Sequence, residues 1–117
     1  MEVNSIVSIW IGKHDSESEF KNYMQESYSD EGDLTSLFMK DFEIDFYDEN
    51  FKEVMFKVAN DKNNIFQDFS YSENFIEKIP DKNWGEYNSY VLLFNFEYDK
   101  SVLNTDKFVF LGSYNYR

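Results

Sequence analysis

Near the end of the chain runs Tyr90-Val91-Leu92-Leu93-Phe94-Asn95-Phe96-Glu97-Tyr98. Tyr90, Leu92, Phe94, Phe96 and Tyr98 alternate with Val91, Leu93, Asn95 and Glu97, the period of two that puts successive side chains on opposite faces of a strand. Phe108, Phe110, Tyr114 and Tyr116 repeat the pattern, with Gly112 in line. Joined by the segment from Asp99 to Asp106, these two strands are expected to pair as a C-terminal antiparallel β-hairpin. Toward the N-terminus, Ile6 to Ile11 reads as a third strand. Ile6, Ser8 and Trp10 point one way and Val7, Ile9 and Ile11 the other, so it is apolar on both sides and belongs in the middle of a sheet.

Between these strands the period changes. Ser16 followed by Glu19 has capping-box spacing, ahead of Phe20, Tyr23, Met24 and Tyr28 at helical period. Ser29 to Asp33 is a turn around Gly32, and Asp33 is placed to cap a second helix carrying Leu34, Leu37, Phe38 and Phe42. Glu43 to Asn50 reads as extended or irregular. Phe51 to Ala59 fits both periods; a strand is preferred because a helix would leave Phe56 on its polar side. Asn60 to Asn64 is a polar turn. Two short helices follow, one with Ile65, Phe66 and Phe69, the other capped by Ser72, carrying Phe75, Ile76 and Ile79 and closed by Pro80. No repeat or linker interrupts the chain. The expected class is α+β: one small domain over residues 1–117, an antiparallel sheet with helices packed on one face.

Aromatic residues make up 21% of the 117 residues, far above what an acidic disordered chain carries. Trp10, in the apolar first strand, is expected to be buried, and Trp84, among Lys82, Asn83 and Gly85, to be more exposed. The absence of Cys excludes disulfides, Cys-based zinc sites and a Cys nucleophile. The run from Ile6 to Ile11 follows an acidic residue and is too short for a leader or a membrane span, so a cytoplasmic location is expected. The formal net charge of −12 argues against nucleic acid and anionic membranes as partners. It favours fast association with a basic protein, although acidic surfaces also serve solubility.

Candidate chemistry is sparse. His14 beside Asp15 is the only histidine, and no motif supplies the nucleophile or second acid–base group that a catalytic histidine needs. Asp30, Glu31 and Asp33 around Gly32 lack the ligand series of a calcium loop. Carboxylate pairs suited to a glycosidase occur by chance among 23 acids. No catalytic residue, cofactor or metal is therefore expected. The distribution of charge says more. From Glu26 to Glu53, ten carboxylates face only Lys40 and Lys52, so this stretch carries −8 of the −12. Within it, Asp30, Glu31, Asp33, Asp41, Glu43, Asp45, Tyr47, Asp48 and Glu49 form the candidate partner-binding set, with Tyr47 as an exposed aromatic anchor among charges that steer.

Val7-Ser8-Ile9-Trp10-Ile11-Gly12 resembles the opening of the immunity protein 22 family, cytoplasmic proteins encoded beside bacterial polymorphic toxins. The resemblance continues through Asp30-Glu31-Gly32-Asp33-Leu34, Phe38-Met39-Lys40-Asp41-Phe42, Tyr47-Asp48-Glu49 with Phe51, and Phe69-Ser70-Tyr71-Ser72 with Phe75. Tyr87-Asn88, Leu92-Leu93, Asn95-Phe96, Tyr98 and Phe110-Leu111-Gly112 complete it. It implies a non-enzymatic, toxin-neutralising binding domain whose partner is a cognate toxin, by analogy one with a basic surface such as a nuclease cleft. It implies no particular contact residue. A regulatory or scaffold module binding another basic protein is the alternative reading, and a small paired-carboxylate hydrolase a more distant one.

Overall fold

The computed structural model describes residues 2–117. Its first strand, β1 (Glu2–Gly12), leads into α1 (Glu17–Met24) and a miniature ladder of β2 (Ser27–Tyr28) with β3 (Leu34–Thr35). Then come α2 (Leu37–Asp41), β4 (Lys52–Phe56), α3 (Lys62–Phe66), α4 (Ser72–Phe75), β5 (Ser89–Phe96) and β6 (Phe108–Asn115). The class is α+β, and the main sheet is a four-stranded antiparallel one in the order β4-β5-β1-β6. Phe51 to Ala59 resolves as the strand β4 in its central part, at the sheet edge.

Two features of the expected arrangement are corrected. Both C-terminal strands form, but they do not pair with each other: β1 lies between them, antiparallel to both. β5 and β6 therefore run the same way, which a tight hairpin cannot connect. Residues 97–107 instead cross over β1, burying Tyr98 and packing Val102 against the cluster around Trp10. The helices also cover both faces of the sheet. α1 and α2 pack on the side of Trp10, Val91 and Leu93; α3 and α4 pack on the side of Val7, Ile9, Ile11, Leu92 and Phe94. The cause was already in the β1 pattern, since a central strand apolar on both sides needs cover on both.

Strict alternation fails at two irregularities. Asn95 (φ 58°) and Ser5 (φ 72°) take left-handed conformations where the β1–β5 register shifts, and the Ser5 N–H donates to Asn95 Oδ1 at 3.1 Å. Phe94 consequently faces the α3–α4 side, whereas Phe96 and Tyr98 face Trp10. A second shift between Ile9 and Trp10, opposite Gly112 (φ 148°), sends Phe110 and Tyr114 to opposite faces.

Locally, Ser16 caps α1 by accepting from Glu19 N–H at 3.1 Å. The helix stops at Met24, so Tyr28 lies in β2 rather than on the helical stripe. Leu34 likewise belongs to β3, and Ser36 rather than Asp33 caps α2, accepting from Met39 N–H at 3.1 Å. Tyr71, left-handed at φ 58°, occupies the cap position of α4 that Ser72 was expected to fill. Trp10 is fully buried, with Phe38 edge-on at 5.2 Å and Tyr98 at 5.3 Å. Trp84 is nearly as buried, edge-on to Phe66 at 5.6 Å; its polar neighbours in sequence hid a side chain that turns under the loop.

Candidate protein-binding face

The loop after α2 starts from an unusual helix end. Ile44 N–H donates to Met39 O at 2.8 Å and Glu43 N–H to Lys40 O at 3.3 Å. This is a Schellman motif with Glu43, at φ 58°, in the left-handed position that glycine usually fills. Met39 and Ile44 both bury in the Trp10 cluster, the apolar contact that accompanies the motif. The chain then runs across one end of the sheet. Asp48 caps a short 3-10 turn over Glu49–Phe51 by accepting from Asn50 N–H at 2.9 Å.

Two struts hold this loop. The ring of Tyr47 is buried, and its hydroxyl donates to Glu26 Oε2. Glu26 Oε1 in turn pairs with Lys52 Nζ at 2.8 Å, both side chains being largely buried. Burial and the Glu26 carboxylate push the Tyr47 hydroxyl well above its ordinary range. The second strut is Tyr28, whose hydroxyl donates to Glu49 Oε1 at 3.0 Å from an otherwise exposed ring.

Tyr47 is thus not the exposed anchor that its acidic neighbours suggested. The exposed aromatic is its neighbour Phe46, with 70% of its surface open to solvent. Phe46 is the wall between two grooves. One, of about 400 Å³, is lined by Tyr28, Asp33, Asp45, Phe46, Asp48 and Glu49, among others. The other, of about 340 Å³, includes Glu2, Asp45, Phe46, Phe96, Tyr98 and Asp99. A shallower depression beside them takes in Glu31, Asp33, Lys40, Glu43 and Asp45.

Of the nine candidate residues, Asp33, Asp45, Tyr47, Asp48 and Glu49 therefore share one groove, and Glu31 and Glu43 adjoin it. Asp30 and Asp41 line none of these hollows; Asp41 instead accepts from the Tyr23 hydroxyl at 2.7 Å. The three ion pairs among the described residues use Glu17, Glu19 and Glu26, so none neutralises any of the eight candidate carboxylates. Phe46 was missed because, in an irregular segment, the residue types do not tell which of two adjacent aromatics faces outward. Phe51 and Tyr71, 41% and 48% exposed, continue the aromatic surface beyond Phe46, through Phe94.

The remaining titratable centre is enclosed. His14 is buried beneath Phe20, Tyr23 and Phe108, whose ring centroids lie 5.2–5.4 Å away. The Ser89 hydroxyl donates to Asn88 Oδ1 at 2.7 Å, so His14 Nδ1–H donates to Ser89 Oγ at 2.9 Å. Asn88 also clasps the His14 backbone, accepting from its N–H at 2.9 Å and donating to its carbonyl at 2.8 Å. Histidine, serine and amide stand together here, but all three are buried in the packing of the core. No group of three or more His, Cys, Asp or Glu among the described residues is arranged to hold a metal ion.

A family model described as immunity protein 22 matches residues 7–117. The chain belongs to the immunity protein 22 family. No curated protein and no solved structure matches it. Membership gives this immunity protein a general role in toxin immunity, in a family that is generally non-enzymatic and works by binding a cognate toxin. No helix among its described residues is long and apolar enough to cross a membrane.

Proposed function

We propose that this immunity protein neutralises its toxin by covering a basic surface of it with the face built around Phe46. The observation that carries the reading is the set of exposed and half-buried carboxylates there, with no ion-pair partner among the described residues, surrounding a projecting aromatic side chain. Concentrated like charge is a standing electrostatic cost to the free protein, and a cationic partner relieves it. An aromatic side chain at the centre of a polar rim is the usual layout of an interface hot spot. The opposite side supports the same choice: from Lys57 to Asn88, six carboxylates are nearly balanced by four lysines. A nuclease, which must itself attract phosphate, is one class of toxin whose cleft would meet this face.

The test is to co-express the chain with its cognate toxin domain, isolate the complex and map backbone amide exchange in free and bound protein. Protection concentrated in residues 43–51 and the β2–β3 turn is expected. Protection confined to α3 and α4 would place the interface on the other face.

A further inference from the structure

We infer that the groove between Tyr28 and Phe46 is an arginine-receiving slot, and that the partner presents an arginine side chain there. This rests on the reading of the Phe46 face as the toxin-binding surface. The groove combines two features that a cationic side chain needs together. Its walls are aromatic, Tyr28 and Phe46 being 66% and 70% exposed. Its rim carries four carboxylates, Asp33, Asp45, Asp48 and Glu49. A long basic side chain lays its apolar stem along such walls and keeps its charge at the rim.

The choice between lysine and arginine follows from shape. A guanidinium is flat, weakly hydrated and able to lie on an aromatic face while donating paired hydrogen bonds to a carboxylate; an ammonium is a compact, strongly hydrated point charge. Glu49 is held at the rim by the Tyr28 hydroxyl, and Asp48 by its cap to Asn50 N–H. Both acceptors are therefore positioned before a ligand arrives. The second groove shares Phe46 and Asp45 but has Lys100 among its lining residues, so it is the poorer cation site. A second copy of this chain is disfavoured as occupant, because each copy brings the same uncompensated carboxylates.

The test uses the free protein and two blocked peptides of equal charge, acetyl-Gly-Arg-Gly-Arg-Gly-amide and its lysine counterpart, titrated by heteronuclear NMR. The arginine peptide is expected to bind about threefold more tightly, the size of one exposed cation–π contact. Its shifts should centre on Tyr28, Asp33 and residues 45–50. Phe46→Ala, which removes an exposed ring and leaves the core intact, should erase the preference for arginine while leaving weak binding of both peptides. Equal affinities for the two peptides, or shifts spread over acidic residues of both faces, would overturn the inference. The toxin complex is tested separately: loss of toxin binding on reversing the rim charges, with no arginine preference in the peptides, would keep the toxin-binding reading and discard the slot.

Discussion

Phe46 and Tyr47 are adjacent, both aromatic and both flanked by acids, yet one projects and the other is core. Nothing in the residue types distinguishes them; Glu26, 21 residues away and paired with Lys52, gives the Tyr47 hydroxyl a place inside, while Phe46 stays outside. The two substitutions should therefore separate. Phe46→Ala should speed dissociation of the toxin complex with little change in stability. Tyr47→Ala should destabilise the fold by about 3–5 kcal/mol, the range for emptying a large aromatic site, as read from urea unfolding. Trp10 was legible, because a strand apolar on both sides has no solvent face, and Trp10→Ala should cost a similar amount. His14 gives a pH dependence. Burial holds its pKa below the ordinary 6.5, aided by Lys107 and opposed by Glu19 and Asp15. The folded state thus favours the neutral ring, and its contribution is complete above the unfolded pKa and declines as pH falls through it. The urea midpoint should drop as pH falls below the unfolded value of about 6.5, and His14→Gln should flatten that drop. An unchanged slope in the variant would assign the drop to other groups.

At the scale of elements, hydrophobic period identified β1, β5, β6 and α1 but not their ends. Asn95 and Gly112 break the alternation, so Phe96 and Tyr98 lie on the face opposite Phe94, and Tyr114 and Tyr116 on the face opposite Phe110. The α2 C-terminus was illegible for a related reason: its left-handed residue is Glu43, whereas glycine is the residue that announces such an end. A non-glycine residue in that conformation costs about 1–2 kcal/mol. Glu43→Gly should accordingly raise the thermal midpoint, offset in part by the extra freedom glycine gives the unfolded chain. A lowered midpoint would mean that the Glu43 side chain stabilises the motif in a way its backbone geometry does not require.

For the whole molecule, the sequence correctly indicated an α+β domain with a marked concentration of negative charge in one segment. It could not give strand order, since insertion of β1 between β5 and β6 depends on long-range pairing that leaves no local pattern. It also could not tell which acids share a face. Asp99, remote in sequence, lines a groove with Asp45 and Phe46, while Asp41 turns toward Tyr23. Asp99 is therefore no neutral control for charge reversal; Glu77 and Asp81, exposed on the α3–α4 side, are better placed. The most direct test of the central claim is the rate of association with the cognate toxin domain, measured against salt concentration for three proteins. These are the native chain, the Asp45→Lys, Asp48→Lys, Glu49→Lys variant and the Glu77→Lys, Asp81→Lys variant. Charges beyond roughly 8 Å are screened at physiological salt, so only those near the contact should matter. The account predicts that the first variant associates more slowly with a flatter salt dependence, while the second stays close to the native chain. Equal slowing by both variants, or native rates in a folded first variant, would contradict it.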